Sequence, residues 1–235
     1  MLFPVCYYAK KMKSGVIMHN NVIKTIETKK IIVIVRGVEG KKLIPLAEAM
    51  YDGGIRLLEI TYDATGKVSD EETAKRIELL SKHFAEKMFI GAGTVICEKQ
   101  VELTKNAGGS FIISPDSCID VIKKTRELGM VSMPGALTPT EVQAAHRAGA
   151  DFVKLFPVTC LGTEYVKAIK APLSHIKFLA VGGVDENNMA DYLKAGVCGF
   201  GVGSNIINKK MLANEDYKGI TALAQKYVSV LEEGI

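Results

Sequence analysis

Residues 138–157 read TPTEVQAAHRAGADFVKLFP, and this stretch holds one complete structural unit. Thr138, Pro139 and Glu141 mark a helix start: a capping hydroxyl, a proline at the first helical position and a glutamate three residues after the cap. Ala148-Gly149-Ala150 marks the helix end, because glycine supplies the left-handed residue that turns the chain back. Phe152–Phe156 then forms a short apolar run without alternation, the pattern of a strand covered on both faces in a parallel sheet.

The same signals recur on either side. β-rich apolar runs occur at Ile31–Val35, Leu57–Thr61, Met88–Ala92, Phe111–Ser114, Met130–Met133, Lys177–Val181 and Cys198–Val202. Stretches of helical period separate them, with Leu43, Leu46, Ala47 and Met50 as one apolar face and Thr73, Ile77 and Leu80 following Asp70 as another. Val101, Leu103, Ile119, Ile122 and Leu128 continue the pattern less regularly. Helix ends are marked by Asp52-Gly53-Gly54, Asn106-Ala107-Gly108-Gly109, Leu128-Gly129 and Ala195-Gly196.

Eight strands, each followed by a helix, fit either a closed barrel or an open doubly wound sheet. The count of eight, and the lack of a GxGxxG after the first strand, favour an α/β fold of the (β/α)8 TIM-barrel type. A helix over about His19–Lys29 precedes the first strand and could plug the barrel bottom. No linker composition interrupts residues 30–235, so 19–235 reads as one domain. Residues 1–18 read as a flexible extension. In them the apolar Leu2–Ala9 comes before Lys10, Lys11 and Lys13, the reverse of a signal peptide, and Met18 could be the natural start.

Composition narrows the function. The formal net charge is +4, spread without a basic stripe, which argues against nucleic acid and weakly favours a small anionic ligand. No apolar run reaches the roughly 18 residues of a membrane span. The cysteines Cys6, Cys97, Cys118, Cys160 and Cys198 have no CxxC spacing and suit a reducing, cytoplasmic compartment. The histidines His19, His83, His146 and His175 fall in helices or at helix ends without metal-ligand spacing, so no metal is expected.

In such a barrel the chemistry sits at the C-terminal ends of the strands. Lys154 stands inside an apolar strand, where burial disfavours the ammonium and exposes a nucleophilic amine suited to Schiff-base chemistry. Glu59, in Leu-Leu-Glu-Ile-Thr, is the second ionisable residue inside a strand and could move protons for it. A purely structural ion pair between the two is the alternative. Gly182-Gly183 and Gly201–Asn205 follow strands seven and eight, the usual phosphate position of the fold, with Ser204 expected to open a helix whose N-terminus favours an anion. Two glycine turns without a ligand are the alternative there.

At this point the chain resembles the class I aldolases for 2-keto-3-deoxy-6-phosphogluconate and 4-hydroxy-2-oxoglutarate. The matching phrases are Gly-Gly-Ile-Arg-Leu-Leu-Glu-Ile-Thr (53–61), Gly-Ala-Gly-Thr-Val (91–95), Ile-Ser-Pro (113–115), Met-Pro-Gly-Ala-Leu-Thr-Pro-Thr-Glu (133–141), Val-Lys-Leu-Phe-Pro (153–157), Val-Gly-Gly-Val (181–184) and Gly-Val-Gly-Ser (201–204). They run in family order over residues 20–235. The resemblance implies a homotrimeric carbon–carbon lyase without a cofactor, in which Lys154 forms the imine and Glu59 is the acid/base. It implies that Thr94 and Pro115 lie near the pyruvyl carboxylate and Phe156 against the pyruvyl unit. It assigns the substrate phosphate to Gly182, Gly183, Gly203 and Ser204.

Two positions depart from the pattern. Asp63 stands where many members carry an arginine, and Ala180-Val181 replaces the Pro-Thr that often precedes the paired glycines. The Ala-Val variant, with Val-Arg-Gly at 35–37, is similar to the branch acting on the galactonate epimer, and Arg36 could replace the missing charge. Other classes consistent with the residues are a sugar-phosphate isomerase or epimerase and a catalytically silent ligand-binding barrel.

Overall fold

Pro134 has no amide hydrogen to give to a sheet, and the fifth strand of the barrel breaks there. The computed structural model describes residues 4–38 and 40–233, with side chains described from residue 16 to 232. A helix α1 (Pro4–Lys29) leads into β1 (Ile31–Val35), α2 (Gly40–Asp52), β2 (Leu57–Thr61), α3 (Asp70–Phe84), β3 (Phe89–Gly93) and α4 (Glu98–Asn106). Then follow β4 (Phe111–Ile113), α5 (Ile119–Glu127), β5 (Val131–Met133), β6 (Gly135–Ala136), α6 (Pro139–Arg147) and β7 (Val153–Leu155). A 3-10 turn (Val158–Cys160), α7 (Gly162–Lys170), β8 (Phe178–Val181), α8 (Met189–Lys194), β9 (Gly199–Val202), α9 (Lys209–Ala213) and α10 (Tyr217–Glu233) complete the chain.

The strands pair in parallel in the order β5-β4-β3-β2-β1-β9-β8-β7-β6. Its two ends, β5 and β6, flank Pro134. β5 bonds β4, and β6 bonds β7 through Gly135↔Lys154 and Ala136↔Leu155. The Lys154 amide donates to the Pro134 carbonyl at 2.9 Å, and the Asp151 amide to that of Ser132 at 3.0 Å. One broken strand therefore closes eight into a barrel, as the sequence leads one to expect.

Strand period divides the core in two. Ile31, Val33, Leu58, Ile60, Val153, Leu155, Phe178 and Phe200 face outward and pack with Leu43, Leu46, Ile77 and Leu80 of the surrounding helices. Ile32, Leu57, Phe111, Ile113, Val131, Met133, Phe152, Leu179 and Val181 fill the interior, joined by Val22 and Ile26 of α1, both 0% exposed. Fully burying such a side chain stabilises by roughly 1.5–3 kcal/mol. Helix α1 is thus the expected plug, but it begins at Pro4 rather than near His19. The expected extension at 4–18 is its first half, and residues 1–3 lie outside the described residues.

The turn chemistry is as read. Thr138 and Glu141 form the reciprocal capping box of α6. Gly54, Gly108, Gly129, Gly149 and Gly196, which end α2, α4, α5, α6 and α8, all have positive φ. Among the described residues, no helix is long and apolar enough to cross a membrane.

Candidate active site

Val153 and Leu155 face the helices, so Lys154 between them faces the barrel interior. Its residue is 8% exposed. Nζ donates to the Ser114 carbonyl oxygen at 3.1 Å and lies 4.6 Å from the centre of the Phe156 ring. Burial pushes the amine below its ordinary value, and the positive charge of Arg36 adds to this, while Glu59 and Asp116 act the other way.

Glu59 lies on the inner face of β2, opposite Ile34 and Gly91, and is 3% exposed. It fits only because residue 93 is glycine: a Cβ there would lie 1.5 Å from Glu59 Oε1. Burial raises its carboxyl to about 7, with Lys154 and Arg36 pulling it back. Oε2 is buried without a hydrogen-bond partner. Among the described residues no direct ion pair joins Glu59 to Lys154, so the structural ion-pair alternative does not describe this site. What remains is a buried amine and a buried carboxyl whose proton affinities are shifted toward each other, an arrangement suited to proton transfer.

Arg36, just past β1, donates from Nη2 to Thr94 Oγ1 at 3.2 Å. Thr94 has φ +57°, a left-handed backbone that is uncommon outside glycine and held here between β3 and α4. Pro115 and Phe156 line one small cleft with Asp116, Gly135, Ala136 and Leu137. Asp63 is committed to its own loop: its carboxylate accepts from the Thr65 amide and hydroxyl and from the Val68 amide, which hold it down to about 2.

Gly182 (φ +94°) and Gly183 (φ +76°) turn the chain after β8. A Cβ on Gly183 would strike Thr159 Cγ2 at 1.7 Å, and one on Gly182 would lie 3.3 Å from Phe156 Cδ2. The first turn therefore touches the same aromatic ring as Lys154. After β9, Gly203 and Ser204 share a cleft of about 550 Å³ with Arg36, Lys42 and Lys209. The amides of Gly182, Gly183, Gly203 and Ser204 have no backbone or side-chain acceptor among the described residues. Ser204 does not open a helix, contrary to the sequence reading. Residues 203–207 make one turn, with the Ile206 and Ile207 amides both donating to the Gly203 carbonyl. Asn208 then caps the short α9 through the Lys210 and Met211 amides. The donors free at these two turns are therefore turn amides, not a helix terminus.

The structure adds residues that pattern reading passed over. The Ser114 carbonyl, Asp116, Thr159 and Asn188 all bear on the site through tertiary contacts. Only Asp116 carried a signal, as the charged residue directly after the strand end Ser114-Pro115.

A family model for KDPG and KHG aldolase matches residues 22–223. The chain belongs to that family. A probable 2-dehydro-3-deoxy-6-phosphogalactonate aldolase from Rhizobium meliloti is 35% identical over 201 residues, covering 85% of this chain and 92% of the relative. The KDPG aldolase of Legionella pneumophila, solved with pyruvate captured at low pH as a covalent carbinolamine intermediate, superposes with a TM-score of 0.77 at 29% identity, covering 86% of this chain and 96% of that one. A cube-shaped protein cage designed by fusing symmetric oligomeric domains contains a match with a TM-score of 0.78 at 30% identity, over 88% of this chain and 73% of that one. The protein is a Schiff-base aldolase, a carbon–carbon lyase.

Proposed function

We propose that Lys154 is the amine that forms the Schiff base and Glu59 the group that moves its protons. The observation that carries this reading is that both are buried inside one barrel, without a direct ion pair between them, the carboxyl raised and the amine lowered by burial. The neutral amine attacks the keto carbon of a 2-keto acid to give a carbinolamine. Loss of water gives a protonated imine. The C3–C4 bond then breaks as the C4 hydroxyl gives up its proton. The electron pair flows into the iminium and leaves an enamine, and the aldehyde half departs. Glu59, directly or through water, takes the hydroxyl proton and delivers one to the enamine carbon. Hydrolysis of the imine releases pyruvate and restores the amine.

The substrate is 2-dehydro-3-deoxy-6-phosphogluconate or its galactonate epimer, giving pyruvate and glyceraldehyde 3-phosphate, with 4-hydroxy-2-oxoglutarate, giving pyruvate and glyoxylate, as a further substrate. Thr94, Pro115 and Phe156 hold the pyruvyl half. Gly182, Gly183, Gly203 and Ser204 hold the phosphate through their free amides, with Arg36 as the nearby cation. The working unit is residues 19–235 assembled as a cytoplasmic homotrimer. The oligomeric setting of the related domain in the designed cage supports an assembly of copies, and a stable monomer at micromolar concentration in sedimentation would sink the trimer.

Sodium borohydride added with pyruvate tests the chemistry. A stable adduct on the peptide containing Lys154, found by mass spectrometry, is the expected result. An adduct on another lysine would overturn the mechanism, and no adduct at all would favour an isomerase or a silent binding barrel.

A further inference from the structure

Two turns form the candidate phosphate half-site, and something must set one against the other. Both are moored in the core by apolar side chains: Val184 is 2% exposed, Ile206 0% and Ile207 7%. Those anchors keep the turns down but do not fix the direction of their peptide planes. In the first turn that direction is set by three acceptors in a row, and in the second by the Gly203 carbonyl, which accepts from the Ile206 and Ile207 amides. The Gly182 carbonyl accepts from the Thr159 amide at 3.2 Å, the Gly183 carbonyl from Asn188 Nδ2 at 2.9 Å, and the Val184 carbonyl from Asn205 Nδ2 at 2.9 Å. In a trans peptide a carbonyl and the following amide point in opposite directions. Holding the Gly182 and Gly183 carbonyls therefore turns the Gly183 and Val184 amides the other way, and neither has an acceptor among the described residues.

Asn205 directly follows Ser204, and its side chain crosses to the other turn, where holding the Val184 carbonyl aims the Asp185 amide at Asn188 Oδ1; it thus acts on the free amides by tying the turns together and by fixing Asn188. Asn188 is itself fixed, because its Oδ1 accepts from the Asp185 amide at 3.0 Å while its Nδ2 holds Gly183. We infer that Asn205 is a positioning residue that locks the Gly182–Val184 and Gly203–Ser204 turns into a single anion cradle, with Asn188 as its second clamp. The ligand class is the phosphate monoester at the far end of the substrate. The inference rests on the reading of these turns as the phosphate half-site.

Steady-state kinetics on a phosphorylated 2-keto-3-deoxy acid and on 4-hydroxy-2-oxoglutarate test it, alongside inhibition by inorganic phosphate. Asn205→Ala should raise KM for the phosphorylated substrate by about five- to tenfold, the scale of one lost hydrogen bond. The inhibition constant of inorganic phosphate should rise with it. The kcat on that substrate should stay within about twofold, so that the ratio of the two substrates' KM values moves almost as far. Asn188→Ala should act in the same direction, and Asn205→Gln, which keeps the amide donor, should recover part of the loss. Asn205 is exposed and Asn188 only half-buried, so these variants should fold. Equal losses on both substrates, or no change, would overturn the inference if Gly203→Asp still raises KM for the phosphorylated substrate alone. Should Gly203→Asp also leave that KM unmoved, the half-site reading fails and this inference falls with it.

Discussion

Lys154 Nζ gives its hydrogen bond to the main-chain carbonyl of Ser114, at 3.1 Å, rather than to a carboxylate. A carbonyl can accept from a neutral amine and more strongly from an ammonium or an iminium N–H, so this acceptor suits each form of the nitrogen in the proposed chemistry.

Burial disfavours the Lys154 ammonium, so its charge costs the fold stability that a neutral group of similar volume does not. A buried charge without an ion-pair partner is desolvated without compensation, so replacing it by an apolar group of similar volume should cost little or even stabilise. Lys154→Met should melt at or above the wild-type temperature while losing the borohydride adduct and catalysis together. A large drop in Tm would mean that the amine is structural.

Burial raises the Glu59 carboxyl to about 7 from 4.5, which ties folding to pH. Below about pH 4.5 the group is protonated in both the folded and unfolded states and contributes nothing. As pH rises toward 7 the unfolded chain loses the proton first, so stability falls, and above 7 the full cost of the buried charge is present. Glu59→Gln should remove that cost, with a stabilisation of a few kcal/mol at pH 8 that vanishes near pH 4. Turnover should fall by about 10²–10⁴-fold, the usual worth of a positioned acid/base. Chemical denaturation at the two pH values is the check, and an equal stability difference at both would contradict the raised value.

The two glycine turns should respond differently to the same change. At Gly203 a Cβ meets only Ile34, at an ordinary 3.6 Å, and φ is not positive. Gly203→Asp should thus fold normally and weaken binding of the phosphorylated substrate by like charge. At Gly183 even alanine meets Thr159 and a left-handed backbone, so Gly183→Ala should cost about 1–3 kcal/mol of stability whatever the substrate. Melting curves for the pair, with KM on both substrates, separate the charge effect from the steric one.

Epimer choice should be weak. Val181 is an apolar residue of the interior cluster with no hydroxyl to offer, and the Asp63 carboxylate is occupied by Thr65 and Val68. Loss of one substrate hydrogen bond is worth roughly 0.5–1.5 kcal/mol, or up to about tenfold in rate. The kcat/KM values for the gluconate and galactonate epimers should lie within about that factor. A preference of several orders of magnitude would point to a discriminating residue elsewhere.

How much of this was readable in the chain follows from range. The eight strands and the glycine helix stops are local signals, and Lys154 and Glu59 were visible as charges inside apolar runs. Pro134 was visible too, but nothing local says that a broken strand will hand the sheet from one neighbour to the next. Ser204 misled for a related reason: Gly203-Ser204 resembles a helix start, yet Asn208, four residues on, makes the better cap. The Ser114, Thr159, Asn188 and Asn205 contacts bring together residues from different loops, and no periodicity encodes them.

Val22 and Ile26 close the base of the barrel, and that has a kinetic consequence. Packed side chains fill the barrel down to that plug, so ligands enter and leave at the C-terminal mouth alone. In the proposed mechanism the keto-acid half stays covalently attached to Lys154 until hydrolysis, whereas the aldehyde half is free once the C3–C4 bond breaks. Release should be strictly ordered, aldehyde first and pyruvate last. Pyruvate should then inhibit cleavage competitively with substrate, and the aldehyde should not.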